Sequence, residues 1–214
     1  MSTKVQYSYR PLVSSSDPAF DRFFEIYLES MPLRERKPKS QIAAMTARHD
    51  YRILLLEGDG AVIGFSMVFA PASESFCLLE YMAMHQAHRN LGLGKELFLR
   101  TFHSISETVH GLLEVDSDRE QSTDQEIRRR RQNFYRRLGC LRIDGLPYEL
   151  PLPGEGPPPK MDLLLYRSDR SRTVMKHDLE HWLKVVYHQV YDCSPDDPRI
   201  VRMLEGVDDP VRLV

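Results

Sequence analysis

No segment of this 214-residue chain approaches the ~20 consecutive apolar residues of a membrane span. The first ten residues are polar and lack the apolar core of a secretory leader. Charge of one sign is missing as well: 29 Lys and Arg face 31 Asp and Glu, for a formal net charge of -2. Such a balance gives no global field to draw the chain to nucleic acid or to a membrane surface, and neither partner is expected. Cysteine is scarce. Cys77, Cys140 and Cys193 are odd in number, widely spaced and never in a C-x-x-C pair, which argues for reduced thiols rather than a disulfide framework or a zinc site. The expectation is a soluble, cytoplasmic protein, long enough to bury a real core in one domain with an appendage.

What is there is a glycine-bearing turn, His88-Arg89-Asn90-Leu91-Gly92-Leu93-Gly94-Lys95, between a strand-like run and an amphipathic helix. Glycine permits close backbone approach and tight φ/ψ. The free N–H groups of a helix start sit at the positive end of its dipole and suit a phosphate. Arg89 and Lys95 add formal charge on either side. The dinucleotide fingerprint G-x-G-x-x-G fails because Leu97 stands at its third glycine, and the P-loop fails because Glu96 follows Lys95. The remaining pattern is R-x-x-G-x-G after the strand Phe76–Met84.

Periodicity and turn chemistry supply the surroundings. A first strand is expected over Val5–Pro11, and a helix from the Asp17-Pro18 cap to about Ser30, with Phe20, Phe23, Phe24, Tyr27 and Leu28 inward. Ser40 would cap a second helix, Gln41–His49. Strands Tyr51–Glu57 and Val62–Ala70 flank the Gly58-Asp59-Gly60 turn. After the glycine turn come a helix to about Ser106, a strand Gly111–Asp116, a polar loop from Asp118 to Asp124, and a charged helix Gln125–Leu138 ended by Gly139. Leu141–Ile143 and Met161–Tyr166 form a last strand pair around a proline-rich loop, a stiff segment able to cover a site. A helix from Thr173 to about Tyr191 and an irregular tail complete the chain.

The order β-α-α-β-β-β-α-β-α-β-β, with R-x-x-G-x-G after the fourth strand, resembles the GNAT superfamily of acyl-CoA N-acyltransferases, whose acyl-CoA motif is Q/R-x-x-G-x-G/A. The resemblance spans roughly residues 5–167. It implies an α/β (α+β) fold with a mixed, mostly antiparallel central sheet flanked by helices. Residues 1–167 would be the acyltransferase domain, and 168–214 an added C-terminal helical extension packing on it or on a partner subunit. Asn133-Phe134-Tyr135-Arg136-Arg137-Leu138-Gly139-Cys140 is similar to the family's F-Y-x-x-L-G-F, with Cys140 in place of the usual aromatic. The resemblance makes Tyr135 the acid that protonates the departing CoA thiolate, a step for which a positioned phenol is suited. It also implies acetyl-CoA as co-substrate, gripped by Leu91, Gly92, Leu93, Gly94 and Lys95 at its phosphates and by backbone groups of Met82 and Met84 along its pantetheine arm. The family's Asn seven residues before the Tyr is replaced by Arg128, and Asn133 is the substitute considered.

The amine must lose a proton to attack, and Glu80 is the leading acceptor. It lies in an apolar strand, where a carboxylate is costly without purpose or partner. Period two places it on one face with Met82 and Met84, and Leu78-Leu79-Glu80-Tyr81-Met82-Ala83-Met84 resembles a family subgroup reading L-L-E-Y-x-A-V. Its other reading is an ion pair with an Arg from a neighbouring helix. Glu114 and Asp116, on one face of the next strand, are competing bases.

Arg128-Arg129-Arg130-Arg131 with Arg136-Arg137 reads as a solvated helix face, with CoA's 3′-phosphate or an anionic acceptor as the alternative. His177, His181 and His188 form a solvated stripe without H-E-x-x-H, and no metal is expected. The opposite face, Leu179, Leu183, Val186 and Val190, must bury against the domain or a second subunit, which leaves a homodimer open. The function expected is transfer of an acetyl group from acetyl-CoA to a small-molecule or peptide amine in a ternary complex. A non-catalytic acyl-CoA sensor, or a transferase using a longer acyl or an aminoacyl donor, are the alternatives.

Overall fold

The computed structural model describes residues 5–105, 109–119, 122–152, 158–167, 169 and 171–214. Ser106, Glu120, Gln121, Pro153 and Pro157 lie outside the described residues. The chain falls into two compact units, Met1–Glu107 and Thr108–Val214.

The first unit contains β1 (Tyr7–Pro11), α1 (Phe20–Ser30), α2 (Lys39–Met45), β2 (Tyr51–Gly58), β3 (Ala61–Phe69), β4 (Phe76–Met84) and α3 (Leu93–His103). Its strands pair antiparallel in the order β1-β2-β3-β4. Asp59 and Gly60 both take positive φ, 50° and 82°, as a two-residue hairpin turn with matching twist demands. The helix starts differ from expectation. Asp17 spends its carboxylate on the Ala19 N–H at 2.8 Å and on Arg10, so Asp17-Pro18 forms a turn ahead of α1. The carbonyl of Pro38, rather than the Ser40 side chain, receives the first N–H groups of α2, from Gln41 and Ile42.

β3 separates the two helical layers of this unit. Phe65 meets Phe23 of α1 edge-on at 4.8 Å, while the adjacent Ser66 bonds Thr101 of α3 through their hydroxyls at 2.6 Å. The register carries this alternation to β4, where Tyr81 and Ala83 pair with Met67 and Phe65, and Met82 and Met84 with Ser66 and Gly64. Tyr81 therefore faces α1, packing against Tyr27 at 5.1 Å, and Met82 and Met84 pack with Leu93 and Leu97 of α3.

The second unit holds β5 (His110–Asp116), α4 (Gln125–Arg137), β6 (Leu141–Arg142), β7 (Met161–Tyr166), β8 (Thr173–Val174), α5 (Lys176–Gln189), α6 (Pro198–Leu204) and β9 (Val211–Arg212). β5, β7 and β6 form antiparallel pairs in that order. The strands of both units thus give a mixed α/β fold whose described pairings are antiparallel. Gly139 closes α4 with φ +92°, the left-handed stop expected after it. Two corrections concern the C-terminal part. Thr173 opens no helix but pairs with Arg212 in the β8–β9 ladder, and α5 starts only at Lys176. The tail is ordered too, with Asp197 capping α6 ahead of Pro198 at its first turn. α5 buries Leu179, Leu183 and Val186 as expected, along with Trp182 and Tyr187.

Candidate active site

Met84 ends β4, and a short 3-10 turn, Gln86–His88, leads to α3. Gly92 caps α3 with φ +80°, and among the described residues no side chain caps its first N–H groups. A Cβ there would meet nothing within 4 Å, so glycine is needed for the backbone conformation and not for space. The first N–H groups of α3 lack intrahelical acceptors by geometry, and the dipole points its positive end along the same direction. Leu91 is exposed, Leu93 is buried under the helix, Gly94 is half-buried and Lys95 is exposed. Arg89 does more than add charge: its Nε donates to the Met84 carbonyl at 3.0 Å and ties the turn to the strand. Gly64, unremarked in the sequence, opens space for Met84, since a Cβ there would lie 2.5 Å from its sulfur and 3.0 Å from the Ala83 carbonyl oxygen.

Glu80 is not on the face of Met82 and Met84. The β3–β4 register slips between Met67 and Val68, which pair with Tyr81 and Leu79 and leave Glu80 as the extra residue of a bulge. A bulge re-aims a side chain against strict alternation, and Glu80 turns to the α1 side. Tyr51 donates its hydroxyl to Oε2 at 2.9 Å. Lys37, from the α1–α2 connection, places Nζ 2.8 Å from Oε1. That contact is an ion pair without hydrogen-bond geometry, so Oε1 remains a buried acceptor with no hydrogen bond. The partner is thus a lysine of a loop, not an arginine of a helix. Sequence reasoning missed both partners; the only signal was the basic cluster Arg34-Glu35-Arg36-Lys37-Pro38-Lys39.

In the second unit, Tyr135 sits on the inner side of α4, 8% exposed. Burial pushes its hydroxyl up to about 12, against a smaller opposing pull from Arg131, so at neutral pH it is a phenol with a proton to give. Asn133, half-buried on the same helix, accepts from Arg136 at 3.3 Å. Glu114 accepts from two phenols, Tyr148 and Tyr191. Burial, with the Glu114 charge, drives the Tyr148 hydroxyl well above its ordinary value, which fixes it as the donor. Asp116 is paired with Arg131. The arginines of α4 pair mostly with acids of their own surroundings: Arg128 with Asp124, Arg129 and Arg130 with Glu126. That matches a solvated, internally balanced face worth a few tenths of a kcal/mol per pair.

A cavity of about 650 Å³ also opens in this unit, walled in part by Arg119, Arg142, Tyr148, Glu149 and Lys160. Arg119 pairs with Asp162, and Arg142 lies 3.7 Å from Asp144. The cationic wall is therefore largely compensated and selects no ligand charge by itself.

Residues 49–139 match the family model described as an acetyltransferase (GNAT) domain. Over that span the chain is similar to a GNAT acetyltransferase domain. This domain implies acyl transfer from an acyl-CoA, and the matched span includes Glu80, the glycine turn and Tyr135 but neither Lys37 nor Tyr148. Among solved structures, the domain and its flanks are similar to a Bacteroides thetaiotaomicron protein described as a GNAT-family acetyltransferase. That match has 24% identity, TM-score 0.71, and covers 86% of this chain and 98% of that one. A second likeness is to the ribosomal-protein-S18-alanine N-acetyltransferase of Escherichia coli, with 16% identity, TM-score 0.54, and coverage of 75% and 92%. At these identities the likenesses speak for the fold, which is GNAT-like. A search of curated proteins found no match. Among the described residues, no helix is long and apolar enough to cross a membrane.

Proposed function

We propose that the chain is an N-acyltransferase moving an acetyl group from acetyl-CoA to a primary amine by direct attack in a ternary complex. One observation carries this reading: the bulge in β4 gives a single strand two chemical faces. On the α3 side, Met82 and Met84 run into the open helix start at Gly92, which suits the arm and phosphates of a CoA thioester. On the α1 side, Glu80 already holds an amine nitrogen, that of Lys37, at 2.8 Å. Direct transfer further needs the thioester carbon brought past the strand to the amine, and holding the two reactants so would remove much of the entropic cost of their meeting.

In this reading the acceptor amine takes the position on Glu80 Oε1, gives up a proton to it, and attacks the thioester carbonyl carbon. The oxyanion is held largely by a backbone N–H near Met84. Tyr135, kept neutral by burial, protonates the leaving thiolate. Leu91, Gly92, Leu93, Gly94 and Lys95 take the phosphates. Arg89 serves mainly to hold the turn, and Asn133 is left to Arg136. Glu114 is less suited to the base role, since both its oxygens are taken by phenols, and Asp116 is neutralised by Arg131. The acceptor is a small-molecule or peptide amine.

The test is an acetyl-CoA screen over amine libraries that reads free thiol. Turnover with at least one amine, lost in Glu80→Gln and Tyr135→Phe while CoA still binds, supports the reading. Thiol release untouched by both substitutions sinks the assignments.

A further inference from the structure

The amine beside Glu80 belongs to the chain itself, and its position is built rather than incidental. Lys37 follows the 3-10 turn Leu33–Glu35. Its backbone N–H donates to the Tyr27 hydroxyl at 2.6 Å, and Tyr81 donates its hydroxyl to the carbonyl of Glu35 at 3.1 Å. Arg36 reaches back to the Met31 carbonyl at 2.7 Å. Three contacts thus hold the connection in the one path that lets Lys37 reach the bulge. The head of the side chain lies 2.8 Å from Glu80 Oε1 and 6.0 Å from the centre of the Tyr81 ring. A carboxylate and an aromatic face are what an ammonium acceptor would be offered. The two side chains are only 13% and 2% exposed, and burying such a pair yields little net stability, because desolvation offsets attraction. Stability alone gives weak reason for the arrangement.

We propose that Lys37 is a modification site: the chain transfers an acyl group from acyl-CoA to its own Lys37 Nζ. The inference rests on the reading of Glu80 as the group that receives the acceptor's proton. If so, the atom held at Oε1 occupies the acceptor's place. The ammonium of Lys37 passes one proton to Glu80, and the neutral nitrogen forms a bond to the thioester carbonyl carbon. The carbon–sulfur bond then breaks, and the nitrogen loses its second proton as the amide forms. The thiolate leaves with the bonding pair and takes up a proton, so an ammonium and an acyl thioester become an amide, free CoA thiol and one released proton. The amide carries no charge, so Glu80 loses its ion pair and keeps the Tyr51 hydroxyl.

The experiment incubates the full chain with acetyl-CoA and follows acetyl occupancy of each lysine by mass spectrometry of digests. Lys39 is the internal control. It lies two positions along the same segment, and its side chain is 55% exposed and paired with Asp21. Unassisted acetylation from solution follows exposure and favours Lys39. The expected result is the reverse: Lys37 reacts about 10²-fold faster than Lys39, as assistance by a positioned base allows, at a rate independent of protein concentration. Glu80→Gln should bring Lys37 down to the rate of Lys39 and leave Lys39 unchanged. Lys39 reacting as fast as Lys37 in the unsubstituted protein overturns the inference without recourse to any variant. Thiol release with an external amine while Lys37 stays unmodified overturns this inference and spares the acetyltransferase reading. Absence of CoA binding and of thiol release with every amine overturns both.

Discussion

Two carboxylates, Glu80 in β4 and Glu114 in β5, look alike in sequence, each an acid within a run of apolar residues, yet the structure gives them opposite company. Glu114 is closed by two neutral phenols, from Tyr148 in the long loop after β6 and from Tyr191 beyond α5. Glu80 has one phenol, Tyr51, and an amine from Lys37, with Oε1 free of any hydrogen bond. A carboxylate held on both oxygens by hydroxyl donors is a structural anchor, because much is lost if the donors go. One that meets an amine already holds the kind of group from which an acceptor's proton would come. Partner chemistry, rather than the apolar surroundings that first singled out both residues, separates the two roles.

The comparison is sharpened first by the acid. Tyr135→Phe should lower kcat about 10²-fold or more while leaving CoA affinity near its starting value, read by thiol release and by calorimetric titration. An unchanged kcat would remove the phenol from the reaction. Next comes the anchor: Tyr148→Phe or Glu114→Gln should reduce unfolding free energy by roughly 1–3 kcal/mol, the usual cost of stranding one partner of a buried charged hydrogen bond. Denaturant melts check this, and kcat per folded molecule should hold.

A pH effect follows from the buried phenols. Tyr51, Tyr81, Tyr135, Tyr148 and Tyr187 all have hydroxyl pKa values raised first by burial. In the unfolded chain they release protons near pH ~10, where the folded chain still holds them, so the unfolded state binds fewer protons and stability falls as pH rises. The contribution of Tyr135 is intact below pH ~10 and is lost between there and its folded value of about 12. Melts from neutral to strongly alkaline pH should show a steep decline, made shallower by Tyr135→Phe. The smallest effect belongs to the turn. Gly92→Ala should cost ~1 kcal/mol through its positive φ and weaken CoA binding modestly, since no atom lies near the added methyl.

Much of the fold was legible because local chemistry and long-range structure agree in it. The strand Phe76–Met84 ends where its apolar run ends, and Gly139 stops α4 as a left-handed glycine should. Most of the misses trace to a partner outside the segment, which local pattern does not encode. Thr173 pairs with Arg212 from the far end of the chain, and Asp17 is drawn off its helix by Arg10. The bulge at Glu80 is set by the register with β3, so period-two counting put that side chain on the wrong face. For the candidate site, the glycine turn and Tyr135 were readable from motif, whereas Tyr51 arrives through strand pairing and Lys37, Tyr148 and Tyr191 from connections remote in sequence from the carboxylates they meet.

The most direct test is the single-turnover rate constant for thiol release with a saturating amine, for Glu80→Gln and Glu114→Gln at equal folded fraction. The account predicts a loss of about 10²-fold or more for Glu80→Gln and little change for Glu114→Gln. Equal losses, or a loss confined to Glu114→Gln, would contradict it.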